Sequence, residues 1–394
     1  MSLASPSLIA RQSSAPGTRN LEPPAFLTAA IEAALARIDS VLPAFTDAWP
    51  EPSSIGGMYR PMDNTEWTNG FWTGMLWLAY ELTGAERYRA VAERHVDSFH
   101  DRVFQRININ HHDLGFLYSL SCVAAYRLTG SQKARGAALE AADRLLDRYL
   151  PQAGIIQAWG DLTDPDEAGR MIIDCNLNLP LLYWAAAETR DARFSDAATN
   201  HIRKAQTFIV RPDNSTFHTF HMDPVTGEPK FGSTHQGASD HSCWARGQAW
   251  GISGFPLNYR YLNDPTLIAT SADLADYFLA RLPDDQVCCW DLIYTSEGVQ
   301  RDSSAAAIAA CGLLELAAFM PETEGAKYHN AAVRIVESLA RDYASKAGDP
   351  GNGLLKHGVY HMPKRIGVDE YCIWGDYFYL EALVRLHQNW VPYW

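Results

Sequence analysis

The sequence predicts an all-α protein, a closed ring of six helical hairpins known as an (α/α)6 barrel, and three observations carry that prediction. A couplet of segments recurs along the chain. One member of each couplet is apolar almost all round while the other carries a single apolar stripe, and no domain linker interrupts the series. A helix that is apolar on every side must be enclosed, whereas one with a single stripe faces water on its outer side. Six of each kind in alternation are satisfied by an inner ring of six wrapped by an outer ring of six.

The elements follow in order. An amphipathic helix at 25–42 opens the outer ring without a preceding partner. Residues 70–83 (GFWTGMLWLAYELT) form the first inner helix, Gly84 breaks it, and 85–100 is amphipathic. The couplet returns at 115–128, broken by Thr129-Gly130, with 131–149, where Ala137, Ala141, Leu145 and Leu146 share a stripe. It returns again at 174–188 with 191–209, at 246–262 with 265–282, and at 302–318 with 325–345. The last inner helix, 375–388, closes the ring against the first. One catalytic-size domain over 25–394 is expected, preceded by a disordered tail at 1–24 that has no sustained apolar run and does not read as a signal peptide.

Composition bounds the function. With 47% hydrophobic and 20% charged residues the chain is globular rather than disordered. A net charge of −13 disfavours nucleic acid and anionic lipid as partners. No apolar run approaches the roughly 18 residues of a membrane span. The 7 cysteines form no CxxC pair, so free thiols in a reducing compartment, and hence a cytoplasmic protein, are expected. The counts of 12 Trp, 18 Tyr and 15 Phe suit a protein that stacks on rings, although most must be core.

In such a ring the loops feeding the inner helices emerge on one face, and function favours loops on a rigid scaffold. Here the loops at 150–173, 210–245 and 346–374 are long and rich in His, Trp and Asp. Asp113, Asp174, Asp302 and Asp376 stand at or just before inner-helix starts. N-capping explains Asp302 and Asp376. Asp113 follows two histidines, whereas Asp174 follows the apolar run Met171-Ile172-Ile173, whose desolvation would keep it protonated near neutrality. Two carboxylates in unlike environments suit acid/base work on a sugar. His111-His112-Asp113 and His218-x-x-His221 match no catalytic zinc spacing, and neither metal nor cofactor is expected. His112 and His218 read instead as hydrogen-bonding groups for substrate hydroxyls or Asp. Arg246, between Trp244 and Trp250, offers a fork that either pairs a carboxylate or ties a loop through backbone carbonyls. Trp67, Trp159, Trp244 and Trp250 read as stacking platforms.

Longer stretches carry a resemblance. NTEWTNGFWTGMLWLAYELTG (64–84), NHHDLGFLYSLS (110–121), AGIIQAWG (153–160), IIDCNLNLPLLYWA (172–185), STHQG (233–237), WARGQAWGISGF (244–255), RDSSAAAIAACGLLELA (301–317) and IWGDYFYLEAL (373–383) resemble the unsaturated glucuronyl hydrolases of glycoside hydrolase family 88, over about 25–394. The resemblance implies an (α/α)6 barrel that removes a 4,5-unsaturated uronic acid from the non-reducing end of lyase-generated oligosaccharides by hydrating its vinyl ether. It implies Asp174 as general acid/base and Asp113 as the second essential carboxylate. Arg246, facing the uronate carboxylate, with Trp250, Trp244, Gly232, Thr234 and Gln236, would line the first subsite. His112, His218 and Trp67 would serve further sugar contacts, and Trp159 the leaving sugar. In sulfate-preferring relatives the loop matching 359–371 carries a serine pair and a lysine. Here the serines are absent, so unsulfated or weakly sulfated leaving groups, such as chondroitin, hyaluronan or gellan fragments, are expected to be preferred. A monomer or homodimer acting on a small oligosaccharide is expected. An unsaturated rhamnogalacturonyl hydrolase and a non-enzymatic carbohydrate-binding protein are the alternatives. A sugar epimerase would need a histidine pair that 302–318 lacks.

Overall fold

The computed structural model describes residues 24–164 and 167–394, and the expected tail at 1–24 lies outside them except for Pro24. Among the described residues twelve helices alternate in the expected way. They are α1 (Leu27–Val41), α2 (Asn69–Thr83), α3 (Glu86–Phe104), α4 (Leu114–Tyr118, continued through a π turn at Ser119–Val123 into Ala124–Thr129), α5 (Gln132–Leu146) and α6 (Leu179–Thr189). The second half holds α7 (Ala192–Phe208), α8 (Ala245–Leu262), α9 (Pro265–Leu279), α10 (Ser303–Phe319), α11 (Glu322–Ser338) and α12 (Ile373–His387). The even-numbered helices form the inner ring, each packed on the next, and α12 returns to α2 while α1 covers α12.

Burial follows from the patterns. On α10 every residue from Ser303 to Ala317 is buried. On α7 only Phe194, Ala197, Ala198, His201, Ile202 and Ala205 are, at the three-and-four spacing of a single stripe. The hairpin turns repeat a device. Thr83, Thr129 and Thr189 each bond back to the carbonyl four residues earlier, and their hydroxyls accept the N–H two residues on. The chain then reverses through left-handed Gly84, Gly130 or Arg190. Ser131, Asp191 and Asp264 cap the outer helices that follow.

One expectation is corrected, and the long loops gain detail. The third inner helix begins at Leu179 rather than 174, because Pro180 belongs in a first turn, and residues Ile173–Leu177 form a 3-10 turn ahead of it. The long loops are also not structureless. A three-stranded antiparallel sheet joins β1 (Arg170–Ile172), β2 (Thr219–Met222) and β3 (Pro229–Ser233), and a hairpin pairs β4 (Gly358–His361) with β5 (Ile366–Glu370). Both decorate the mouth of the ring, where the inner helices start.

Candidate active site

The first turns of the inner ring place two carboxylates at the mouth. Asp113 occupies the position before α4, and Asp174 sits in the 3-10 turn before α6. Asp174 Oδ1 is buried without a hydrogen bond among the described residues. Burial raises its carboxyl to about 7, the Asp113 charge adds to the rise, and Arg246 opposes it. Asp113 goes the other way. Burial alone would raise it, but His112, His111 and the Arg148 charge together hold it below the ordinary carboxylate range. His112 Nε2 lies 3.2 Å from Asp113 Oδ1 and His111 Nδ1 lies 3.3 Å from Oδ2. Near neutrality the pair therefore offers one protonated and one ionised carboxyl.

His112 and His218 are neutral partners rather than cations. Burial lowers His112 to about 4 and puts His218 well below its usual range. His218 Nδ1 accepts the His235 backbone N–H at 3.0 Å, so the neutral ring carries its proton on Nε2, 4.0 Å from Asp174 Oδ1. His221 lies three residues on, and side chains alternate across a strand, so it points away, to Ser233 Oγ at 3.2 Å and the Phe231 ring. The two cannot share a metal, and no group of three His, Cys, Asp or Glu residues converges among the described residues.

Arg246 does not stand free to meet a carboxylate. Its two terminal nitrogens donate to the Val359 and Tyr360 carbonyls and to Gln236 Oε1, with Asp302 Oδ2 at 3.4 Å. Its plane is held between Trp244, 4.4 Å away, and Trp374, 4.8 Å away. The loop-tying use of the fork is the one the structure displays, because Asp302 and the β4 carbonyls already satisfy it. Asp302 does cap α10, through Ser304 and Ala305. Asp376 does not cap α12. It lies in the first turn, accepting the Leu355 N–H at 2.8 Å and the Tyr59 hydroxyl at 3.0 Å.

The expected stacking platforms divide into two pairs. Trp250 (0% exposed) packs on Phe116 and Phe378, and Trp244 (3%) lies between His218 and Arg246, so neither presents an open ring face. Trp67 and Trp159 are half-buried at the mouth. Trp67 stacks on Trp374 and donates to the Tyr360 hydroxyl at 3.2 Å, while Trp159 lies 5.1 Å from His235. Thr234 Oγ1 accepts the Gly237 N–H and so shapes its own turn. Gly232 is fixed by packing, since a Cβ there would stand 2.4 Å from the Phe217 ring.

Several residues that hold the site gave no sequence signal. Arg102 on α3 donates to Asn64 Oδ1 and to the Glu66, Ile107 and Asn108 carbonyls, joining the Trp67 loop to the segment before Asp113. Arg148 donates to Asn110 Oδ1 and to the Gln157 and Gly160 carbonyls, joining that segment to the Trp159 loop. Both read as ordinary cations at the ends of amphipathic helices. Tyr360 and Trp374 could have been found only by pairing β4 and α12 with the Trp67 loop.

A ring of hairpins with two unlike carboxylates and half-open tryptophans at its mouth defines a carbohydrate-processing hydrolase. The chain belongs to glycosyl hydrolase family 88, whose model matches residues 38–381, and it is an enzyme. It is 48% identical over 371 residues to an unsaturated chondroitin disaccharide hydrolase of Streptococcus pyogenes, covering 93% of each chain. The crystal structure of the unsaturated glucuronyl hydrolase of Streptococcus agalactiae superimposes with a TM-score of 0.92 at 45% identity, covering 95% of this chain and 96% of that one. That of Bacillus sp. GL1, responsible for the degradation of glycosaminoglycan, gives 0.90 at 47%, covering 92% and 97%.

Proposed function

We propose that this enzyme removes the 4,5-unsaturated uronic acid from the non-reducing end of small glycosaminoglycan-type oligosaccharides, with Asp174 as general acid and base. The observation that carries the assignment is the buried Asp174 carboxyl, lifted to about 7 beside an ionised Asp113. A general acid works best when its pKa lies near the operating pH.

The chemistry follows from the bond being attacked. The C4=C5 double bond conjugates with the ring oxygen, so protonation at C4 places the positive charge on C5 and that oxygen. Asp174 delivers the proton and becomes a carboxylate. It then takes a proton from the water that adds to C5. The resulting hemiketal opens by breaking the bond from C5 to the ring oxygen, leaving a ketone at C5 and a hemiacetal at C1. Collapse of that hemiacetal releases the shortened glycan. No covalent nucleophile is needed. Asp113, held ionised, supports the developing cation and accepts from sugar hydroxyls, and neutral His218 steadies the Asp174 carboxylate through its Nε2 proton. With Arg246 holding Gln236 by its Oε1, the Gln236 amide is the donor left for the uronate carboxylate, and the Arg246 charge favours that anion from behind. Trp67 and Trp159 offer the ring faces.

The relatives named as unsaturated chondroitin disaccharide and unsaturated glucuronyl hydrolases support this reading over a rhamnogalacturonyl hydrolase or a binding protein. No helix among the described residues is long and apolar enough to cross a membrane, and all seven cysteines are buried free thiols, which supports a reducing, cytoplasmic location. We further read 25–394 as one catalytic domain, acting as a monomer or homodimer.

The test is the ultraviolet absorbance of the conjugated uronate during incubation with an unsaturated chondroitin or hyaluronan disaccharide. It should fall with the wild type, and with Asp174→Asn the rate should drop by about 10³-fold, inside the range of general acid–base catalysis, while binding persists. Loss of absorbance only with unsaturated rhamnogalacturonan would overturn the substrate assignment.

A further inference from the structure

The two carboxylates stand on different hairpins, and one side chain joins the segments that bear them. Asn178, fully buried at the junction of the 3-10 turn and α6, accepts the Phe116 backbone N–H through Oδ1 at 2.8 Å and donates through Nδ2 to the Asp174 carbonyl at 3.2 Å. The first bond fixes the start of α4, three residues beyond Asp113. The second fixes the turn that carries Asp174. Close approach at this joint is built in, because a Cβ on Gly115 would stand 2.4 Å from Asn178 Cα. Both halves of the amide are therefore used, and each spans between, or within, the two acid-bearing segments.

We propose that Asn178 is a positioning residue for the reaction, setting the separation between the Asp113 and Asp174 carboxylates and thereby the protonation of the acid. The inference rests on the function proposed above. It acts at a distance where charge matters, since the groups facing Asp174 are Asp113 from the α4 side, His218 from the strand side, Arg246 from α8 and the neighbouring Cys175 thiol, and the Asp113 charge is the one that favours the protonated acid. Loosening the joint weakens that interaction. A charge placed at position 178 adds to it.

The experiment compares wild type, Asn178→Ala and Asn178→Asp by the pH profile of kcat/KM and by kcat and KM separately, with an unsaturated chondroitin disaccharide. Asn178→Ala should lose roughly 10²-fold in kcat, the size of effect a misplacement of about 1 Å produces, with little change in KM, and its alkaline limb should move to lower pH. Asn178→Asp keeps the size and the acceptor for Phe116, puts a carboxyl oxygen where Nδ2 met the Asp174 carbonyl and, when ionised, adds negative charge, so its limb should move to higher pH. Opposite displacements are what a purely structural role would not give. Limbs that coincide with wild type in whichever variants fold, or kcat unchanged in Asn178→Ala, would overturn the proposal. Should Asn178→Ala fail to fold, the Asn178→Asp limb alone decides. No turnover by the wild type would instead overturn the assigned function.

Discussion

The two ends of the ring use arginine in opposite ways. At the mouth, buried Arg102, Arg148 and Arg246 spend their forks mainly on backbone carbonyls and side-chain amides, and among the described residues only Arg246 meets a carboxylate, Asp302. At the opposite end, Arg260 and Arg385 both pair with Glu315, and Arg385 also pairs with Glu381 at 2.8 Å. The chain then turns back to seal that end. Trp394 donates to Glu381 and packs on Phe378 and Phe116, while Trp390 and Tyr393 donate to Glu81. Arginines that bind carbonyls keep their positive charge uncompensated. At the mouth that charge helps hold Asp113 ionised and favours an anionic sugar. At the sealed end the Arg260 and Arg385 charges are cancelled locally by Glu315 and Glu381, as burial demands.

The sharpest way to break this contrast is at the sealed end. Glu315→Ala would strand Arg260 and Arg385 as buried, partly unpaired charges and should cost about 3–5 kcal/mol. Denaturant unfolding measures the loss, and kcat well below the melting temperature should hold. A parallel collapse of kcat would show that the ends are not separable.

Next in size is a mouth-end carboxyl outside the reaction. Burial raises Asp376 to about 7, against the bonds from Leu354 and Leu355 and from Tyr59 that favour its charge. A carboxyl raised on folding stabilises most below its unfolded value, near 3.8, and loses that stabilisation as pH climbs through about 7. Over that window the folded protein binds the proton more tightly, so stability declines with rising pH by up to roughly 4 kcal/mol for this group. Asp376→Asn should flatten that decline in melting temperature between pH 5 and 8, leaving the part due to Asp174. An unchanged slope would mean that Asp376 does not ionise there.

Asp113→Asn tests the carboxylate pair itself. Removing the charge that raises Asp174 should move the alkaline limb of kcat/KM, expected near pH 7 for the wild type from the raised Asp174 carboxyl, to lower pH, and turnover should fall by about 10²-fold. A limb that stays in place would assign the rise at Asp174 to burial alone.

How much of this the sequence reveals depends on whether a residue's neighbours are close along the chain. The ring is legible because apolar-all-round helices announce enclosure within a single segment. Asp174 is legible because the apolar run Met171-Ile172-Ile173, buried next to it in sequence, announces a buried carboxyl. Arg246 is ambiguous because flanking tryptophans look alike whether they frame an open fork or bury a committed one, and the partners that decide, Val359 and Tyr360, lie more than a hundred residues away. Arg102, Arg148 and Asn178 are silent for the same reason. Their patterns are those of any surface stripe or inner helix, and the side-chain or backbone partners that reveal their use, Asn64, Asn110 and Phe116, lie 38 to 62 residues away.

The smallest effect concerns the mouth's outer rim. The turn between β4 and β5 carries Lys364, whose N–H meets His361 Nδ1 at 3.3 Å, and no serine stands in that turn to bind a sulfate through hydroxyls. Burial lowers His235, and the Lys364 and Arg170 charges lower it further, so positive potential does reach the rim beside Trp159. An exposed charge of this kind contributes about 0.2–1 kcal/mol, too little to replace a built hydrogen-bonding site but enough to soften discrimination. Unsulfated unsaturated disaccharides are therefore expected to be preferred over sulfated ones by less than about tenfold in kcat/KM, and Lys364→Ala should widen the ratio by roughly 2- to 5-fold. Absorbance assays on the two substrates at low and high salt measure both numbers. A strong preference for the sulfated disaccharide that survives Lys364→Ala would place a sulfate-binding site elsewhere on the rim.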